Sequence, residues 1–196
     1  MQLSNNNDAK IIAIIGGLDA DLIMITRRIP DPGESVLASH YLEALGGKGA
    51  NSAIGTYRTC HKKLVQNNIP FDLESLAVDV PADESLTVGD SDEDNNIQVK
   101  IISAVRDDTY SEKFIMELNK NSVDASGIVT VPKTHSSICF VIVEDQTREN
   151  RCLFALGATA TWKTRDFINA EQLGGKIQPD LVVAQMEIIK EVVELC

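Results

Sequence analysis

No run of about 18 apolar residues occurs in the 196-residue sequence, so no membrane-spanning helix is expected. The start, "MQLSNNNDAK", is polar and lacks the apolar core of a secretory leader. Cations are scarce: 18 Lys and Arg stand against 29 Asp and Glu, a formal net charge of −11. A nucleic-acid partner is not expected on that balance, because phosphate binding wants a basic surface. A small anion held locally is still compatible with it. The four cysteines, Cys60, Cys139, Cys152 and Cys196, show no C-x-x-C spacing. They read as reduced thiols in a cytosolic protein, with no metal site. Two nucleotide motifs are also missing. A Walker loop fails because Leu42 stands where its first glycine should be and Gly49 follows Lys48. No G-x-G-x-x-G follows the first apolar run, so a Rossmann site is unsupported.

What is present suits one sizeable globular domain, with 43% hydrophobic residues. Residues 11–15 form a continuous β-branched run ending in Gly16–Gly17, the pattern of a buried strand. "LIMIT" and "ASHYLEAL" are short strand-like pieces around the turn "PDPGE". A helix is expected over about 50–60, a strand at "IQVKIISAV", and an amphipathic helix in "DTYSEKFIMELNKNSV" with Phe114, Ile115 and Leu118 on one face. "GIVTV" reads as a strand, and "SSICFVIVED" and "NRCLFAL" as a hairpin around "DQTREN". "TRDFINAEQL" is expected as a helix, "DLVVAQME" as a strand, and "IIKEVVELC" as the start of another helix. Alternating strands and helices imply a parallel α/β sheet, with the hairpin pieces forming a small separate sheet. Residues 62–96 break the pattern: six acids fall within 83–94, and hydrophobic periodicity is weak. A solvated acidic insertion is the expectation there. An EF-hand loop lacks its spacing.

Three features could carry chemistry. Gly46, Gly47, Lys48 and Gly49 feed a helix start. Amides and a dipole end there suit an oxygen-rich ligand, and a plain structural turn explains the cluster equally well. Asp19 and Asp21 follow the first strand, where ligands gather in open α/β sheets, although turn or capping acids would look the same. Glu187 stands after "LVVAQM", as a site acid or as an acid in the first turn of a helix.

"GGLDAD", "PDPGE", "LGGKGANSA", "AVRDD", "SSICFVIV", "GATAT" and "AQME" occur in that order. Together they resemble the N-terminal part of ribokinases, in the PfkB-type carbohydrate kinase family, over nearly all of the chain outside 62–96. The resemblance implies an α/β/α sandwich with a small β-sheet lid, and transfer of the ATP γ-phosphate to the 5-hydroxyl of D-ribose. It implies sugar contacts from Asp19, Asp21, Gly46, Gly47, Lys48, Asn51 and Glu187, with Asp19 standing where the family has asparagine. It also implies ATP, Mg2+ and K+ as cofactors, a cytoplasmic or nuclear location, and a homodimer through the lid. Arg106 and Thr159 stand where the family has glycine and asparagine. An arginine at Arg106 would be strained if that glycine has positive φ. The family's N-x-x-E and GAGD motifs, with the catalytic aspartate, are expected beyond Cys196. On this reading the chain is the truncated, sugar-binding half of a kinase and gives no ribose-dependent ATP turnover by itself. The alternative is an inactive remnant that binds a sugar or another subunit.

Overall fold

The structure is a computed structural model, and it describes residues 9–61, 96–163 and 178–185. Two four-stranded sheets make up its frame. The central sheet holds β1 (Lys10–Ile15), β4 (Ile97–Val105), β5 (Asp124–Thr130) and β8 (Leu181–Ala184) in the order β5-β4-β1-β8. Every pairing in it is parallel. The second sheet holds β2 (Asp19–Thr26), β3 (His40–Gly46), β6 (Ser137–Glu144) and β7 (Asn150–Ala155) in the order β3-β2-β6-β7. There β2 runs antiparallel to β3 and parallel to β6, and β6 and β7 form the hairpin read from sequence.

β1 and β4 are buried because β-branched residues fill both faces of the sheet. Ala13, Ile14 and Ile15 have no exposed surface, and neither have Ile101 and Ala104. On one face, Ile14, Val99, Ile101 and Val105 pack with residues of α1 (Lys48–Cys60) and α2 (Thr109–Lys120). On the other, Ala13, Ile15, Ile102 and Ala104 pack with Ala158, within a 3-10 turn at Gly157–Thr161, and with Trp162, which follows it. The helices expected over 164–173 and 188–196, and the insertion 62–95, lie outside the described residues. Among the described residues, no helix is long and apolar enough to cross a membrane.

α1 starts two residues earlier than its sequence pattern suggests, so Asn51 is its fourth residue. Its buried face is Gly49, Ala50 and Ala53, small residues that let the helix lie close to the sheet. α2 begins at Asp108, whose carboxylate accepts hydrogen bonds from the amides of Tyr110 (3.1 Å) and Ser111 (3.2 Å). Its buried residues are Ser111, Phe114 and Leu118, at spacings of three and four. Ile115 was expected on this face and is instead 38% exposed. It lies one residue, about 100°, around the helix from Phe114, past the edge of the apolar stripe.

One cation interrupts the apolar interior. Lys100, 6% exposed, donates from Nζ to Ser126 Oγ (2.5 Å) and Asp124 Oδ2 (3.3 Å). Burial opposes ionisation of Asp124, but hydrogen bonds from Ser126 and the Lys100 charge outweigh it and hold the carboxyl below its usual range.

The two sheets are tied by a polar knot at the end of β4. Asp108 accepts hydrogen bonds from the Ser136 hydroxyl (2.9 Å) and amide (3.2 Å), and Ser136 Oγ accepts from the Arg106 amide (3.0 Å). The Arg106 guanidinium donates to the Thr134 carbonyl (2.9 Å). Positive φ among the described non-glycine residues is confined to Ser122, Lys133 and Arg148. Arg106 is therefore unstrained where the family has glycine.

Candidate functional site

The site elements meet at the carboxyl ends of β1 and β8. The chain leaves β1 towards β4 on one side of the sheet and reaches β8 on the other, the kind of switch point where open α/β sheets bind ligands. Gly16 and Gly17 close β1, and the Gln185 amide donates to the Ile15 carbonyl at 2.8 Å. The Gln185 side chain then donates to Ser52 Oγ at 2.6 Å, which fixes the start of α1 over this edge.

The glycine cluster is shaped by close backbone approach. The Gly49 amide donates to the Gly17 carbonyl at 3.1 Å. A Cβ on Gly49 would lie 2.6 Å from both the Gly16 carbonyl carbon and the Gly17 oxygen. Gly47 caps α1 with φ +89°, and its Cβ would lie 2.7 Å from the Asp19 amide nitrogen. Both positions exclude a side chain, one for space and one for both space and conformation. The structural turn and the candidate site are thus the same object: two glycine turns cross with no side chains between them. The crossing sets the α1 N-terminus beside the first residue of β2.

Asp19 and Asp21 follow β1, as the sequence suggests, but in a strand of their own. They belong to β2, within the second sheet. At i and i+2 their side chains share one face. Asp19 pairs with Gly46 and Ser137, and Asp21 with Ala44 and Cys139. Asp19 is 3% exposed and Asp21 half-buried. The Asp21 carboxylate lies over the Cα of Gly46, where a Cβ would fall 3.0 Å from its Cγ. Lys48 opens α1, and its Nζ sits 6.0 Å from the centroid of the Phe154 ring, on β7. That distance is at the limit of a cation–π contact. Asn51 is exposed on the next turn. The structure therefore gathers Asp19, Asp21, Gly46, Gly47, Lys48 and Asn51 around the α1 N-terminus. Glu187 lies outside the described residues.

Sequence reasoning did not single out Phe154 or Ser137, which share this neighbourhood. The register of the hairpin carries that information, since Phe154 pairs with Cys139 and Cys139 with Asp21. Burial pushes the Cys139 thiol up to about 12, and contact with Cys152 and the charges of Asp21 and Asp19 add to it. The two carboxylates thus create a negative, partly shielded face opposite a positive helix end. Such a face can accept hydrogen bonds from several hydroxyls at once. Among the described residues no three His, Cys, Asp or Glu side chains converge as a metal cage.

Residues 90–182 match the model of the pfkB family carbohydrate kinase. Over that stretch, just under half of the chain, it is similar to PfkB-type carbohydrate kinases. It is 25% identical to a ribokinase of Schizosaccharomyces pombe over 186 residues, 94% of this chain and 48% of that protein. It is equally 25% identical to a deoxyribokinase of Salmonella typhi over 182 residues, 93% of this chain and 47% of that protein. The fold matches a ribokinase of Thermotoga maritima with a TM-score of 0.66 at 21% identity, covering 94% of this chain and 48% of that one. It also matches an Arabidopsis thaliana ribokinase complexed with ribose and ATP, with a TM-score of 0.63 at 17% identity, covering 95% and 48%. The chain thus spans about half the length of the relatives it matches.

Proposed function

We propose that this face holds the sugar of a ribokinase-type reaction, in which the γ-phosphate of ATP passes to the 5-hydroxyl of D-ribose. The observation that carries the reading is the pair Asp19 and Asp21, on one face of β2 and backed onto the glycine crossing at the α1 N-terminus. In this reading the two carboxylates accept hydrogen bonds from neighbouring sugar hydroxyls. Lys48 and Asn51 supply donors, and Gly46 and Gly47 keep the approach free of side chains. Glu187 adds a third acceptor.

ATP, when bound, supplies the phosphoryl group, with Mg2+ and K+ as its companions in the family. The role proposed for this chain is to bind and orient the sugar. A homodimer through the second sheet belongs to the same proposal. The relatives include both ribokinases and deoxyribokinases, so the 2-position of the sugar is the point of discrimination to test.

Calorimetric titration of the 196-residue chain with D-ribose and 2-deoxy-D-ribose tests the reading. D-ribose is expected to bind, and Asp21→Asn to weaken it by about tenfold or more, since hydrogen bonds to a charged group contribute about 1.5–3 kcal/mol. Equal affinity in the folded Asp21→Asn variant, or no heat from either sugar, would sink the assignment.

A further inference from the structure

Cys139 and Cys152 are brought together by the hairpin, not by sequence spacing. In the β6–β7 register Cys139 faces Phe154 and Val141 faces Cys152. The two cysteines are therefore diagonal neighbours on one face of the hairpin. Cys139 is buried beside Asp21, while Cys152 is exposed to solvent. We propose that Cys139 and Cys152 are a reversible oxidation site, closing as a disulfide within the hairpin under peroxide.

The division of labour follows from exposure. Cys152 is the thiol a peroxide can reach. Its sulfur attacks the O–O bond, giving the sulfenic acid while the other oxygen leaves as alcohol or water. Cys139 then attacks the Cys152 sulfur. The S–S bond forms, the S–O bond breaks, and the departing hydroxyl takes the Cys139 proton as water. One peroxide is reduced to two hydroxylic products while two thiols become one disulfide. Burial and acidic neighbours hold Cys139 protonated, so it is not the thiol that meets peroxide first, and it gives up its proton to the departing hydroxyl as its sulfur attacks.

The hairpin can accommodate the bond. Diagonal neighbours across a strand pair sit about 7–8 Å apart, somewhat more than a disulfide prefers. Among the described residues β7 pairs with β6 alone, and all six of its residues are exposed. An edge strand of that kind can shift by the ångström or two required. Closure would draw β7, and Phe154 with it, across the face that carries Asp21. An effect on sugar affinity would rest on the sugar-binding reading above, whereas the disulfide itself does not.

The test is peroxide treatment of the folded 196-residue chain, then alkylation, digestion and mass spectrometry. A peptide pair joining Cys139 to Cys152, lighter by two hydrogens, is expected. It should vanish on thiol reduction, be absent in Cys152→Ser and persist in Cys60→Ser. As a second measurement, a trivalent arsenical should protect Cys139 and Cys152 together from alkylation in the untreated chain. Linkage of either cysteine to Cys60 or Cys196, over-oxidation of Cys152 without a cross-link, or no reaction under conditions that oxidise an exposed model thiol would each overturn the proposal.

Discussion

The two sheets are built on opposite terms. In the central sheet, β1 and β4 bury nearly every residue. In the second sheet, β3 and β7 leave most of theirs exposed, including Tyr41 at 52%, Leu153 at 65% and Phe154 at 53%. The first sheet is a core with helices packed on it. The second is a thin layer, linked to the first through the Asp108–Ser136 knot and the glycine crossing. The sheets thus differ in burial, the first giving a packed edge and the second setting the carboxylates of Asp19 and Asp21 beside it. Elements with few buried apolar contacts open most readily.

The largest expected break in this contrast is between two phenylalanines. Phe114→Ala, in the interior between α2 and the central sheet, should cost about 3–5 kcal/mol, and Phe154→Ala on the second sheet well under about 1 kcal/mol. Denaturant unfolding of both variants checks this, and equal costs would erase the distinction between core and layer.

A smaller effect should come from the link itself. Asp108→Ala removes the α2 cap and leaves the buried Ser136 without its carboxylate partner, at a cost of about 2 kcal/mol. Amide exchange should then rise in β6 more than in β5. Uniform loss across both sheets would mean that the knot is only a helix cap.

The smallest pair separates space from propensity within one helix. Gly49→Ala forces a Cβ into the Gly16–Gly17 backbone and should destabilise by about 1–3 kcal/mol, as overpacking does. Gly55→Ala meets nothing within 4 Å and should stabilise by about 0.5–1 kcal/mol. The melting temperatures should move in opposite directions. Stabilisation by both changes would show that the crossing is loose.

The central sheet was readable because burial on both faces leaves a direct mark, the unbroken apolar run of residues 11–15 and the mostly apolar run of 97–105. The hairpin was readable from its polar turn. The assembly of the second sheet was not, because β2–β6 is a parallel pairing between segments more than a hundred residues apart. For that reason Asp19 and Asp21 could be placed only as following the first strand, and the Asp108–Ser136 knot and the diagonal cysteines went unseen. The glycine cluster was ambiguous for another reason. Whether a glycine serves a ligand or a crossing chain depends on what lies opposite, and here Gly16–Gly17 lies opposite. Lys48 and Asn51 fall in the first turn of α1, the helix start read from the residue pattern, whereas Glu187 lies outside the described residues.

The most direct test of the central claim is hydrogen–deuterium exchange of the 196-residue chain with and without saturating D-ribose. The account predicts protection concentrated at residues 19–21, 46–51 and 137–139, with β5 unchanged. Protection confined to the central sheet, or none at the β2 carboxylates while the sugar is bound, would contradict it.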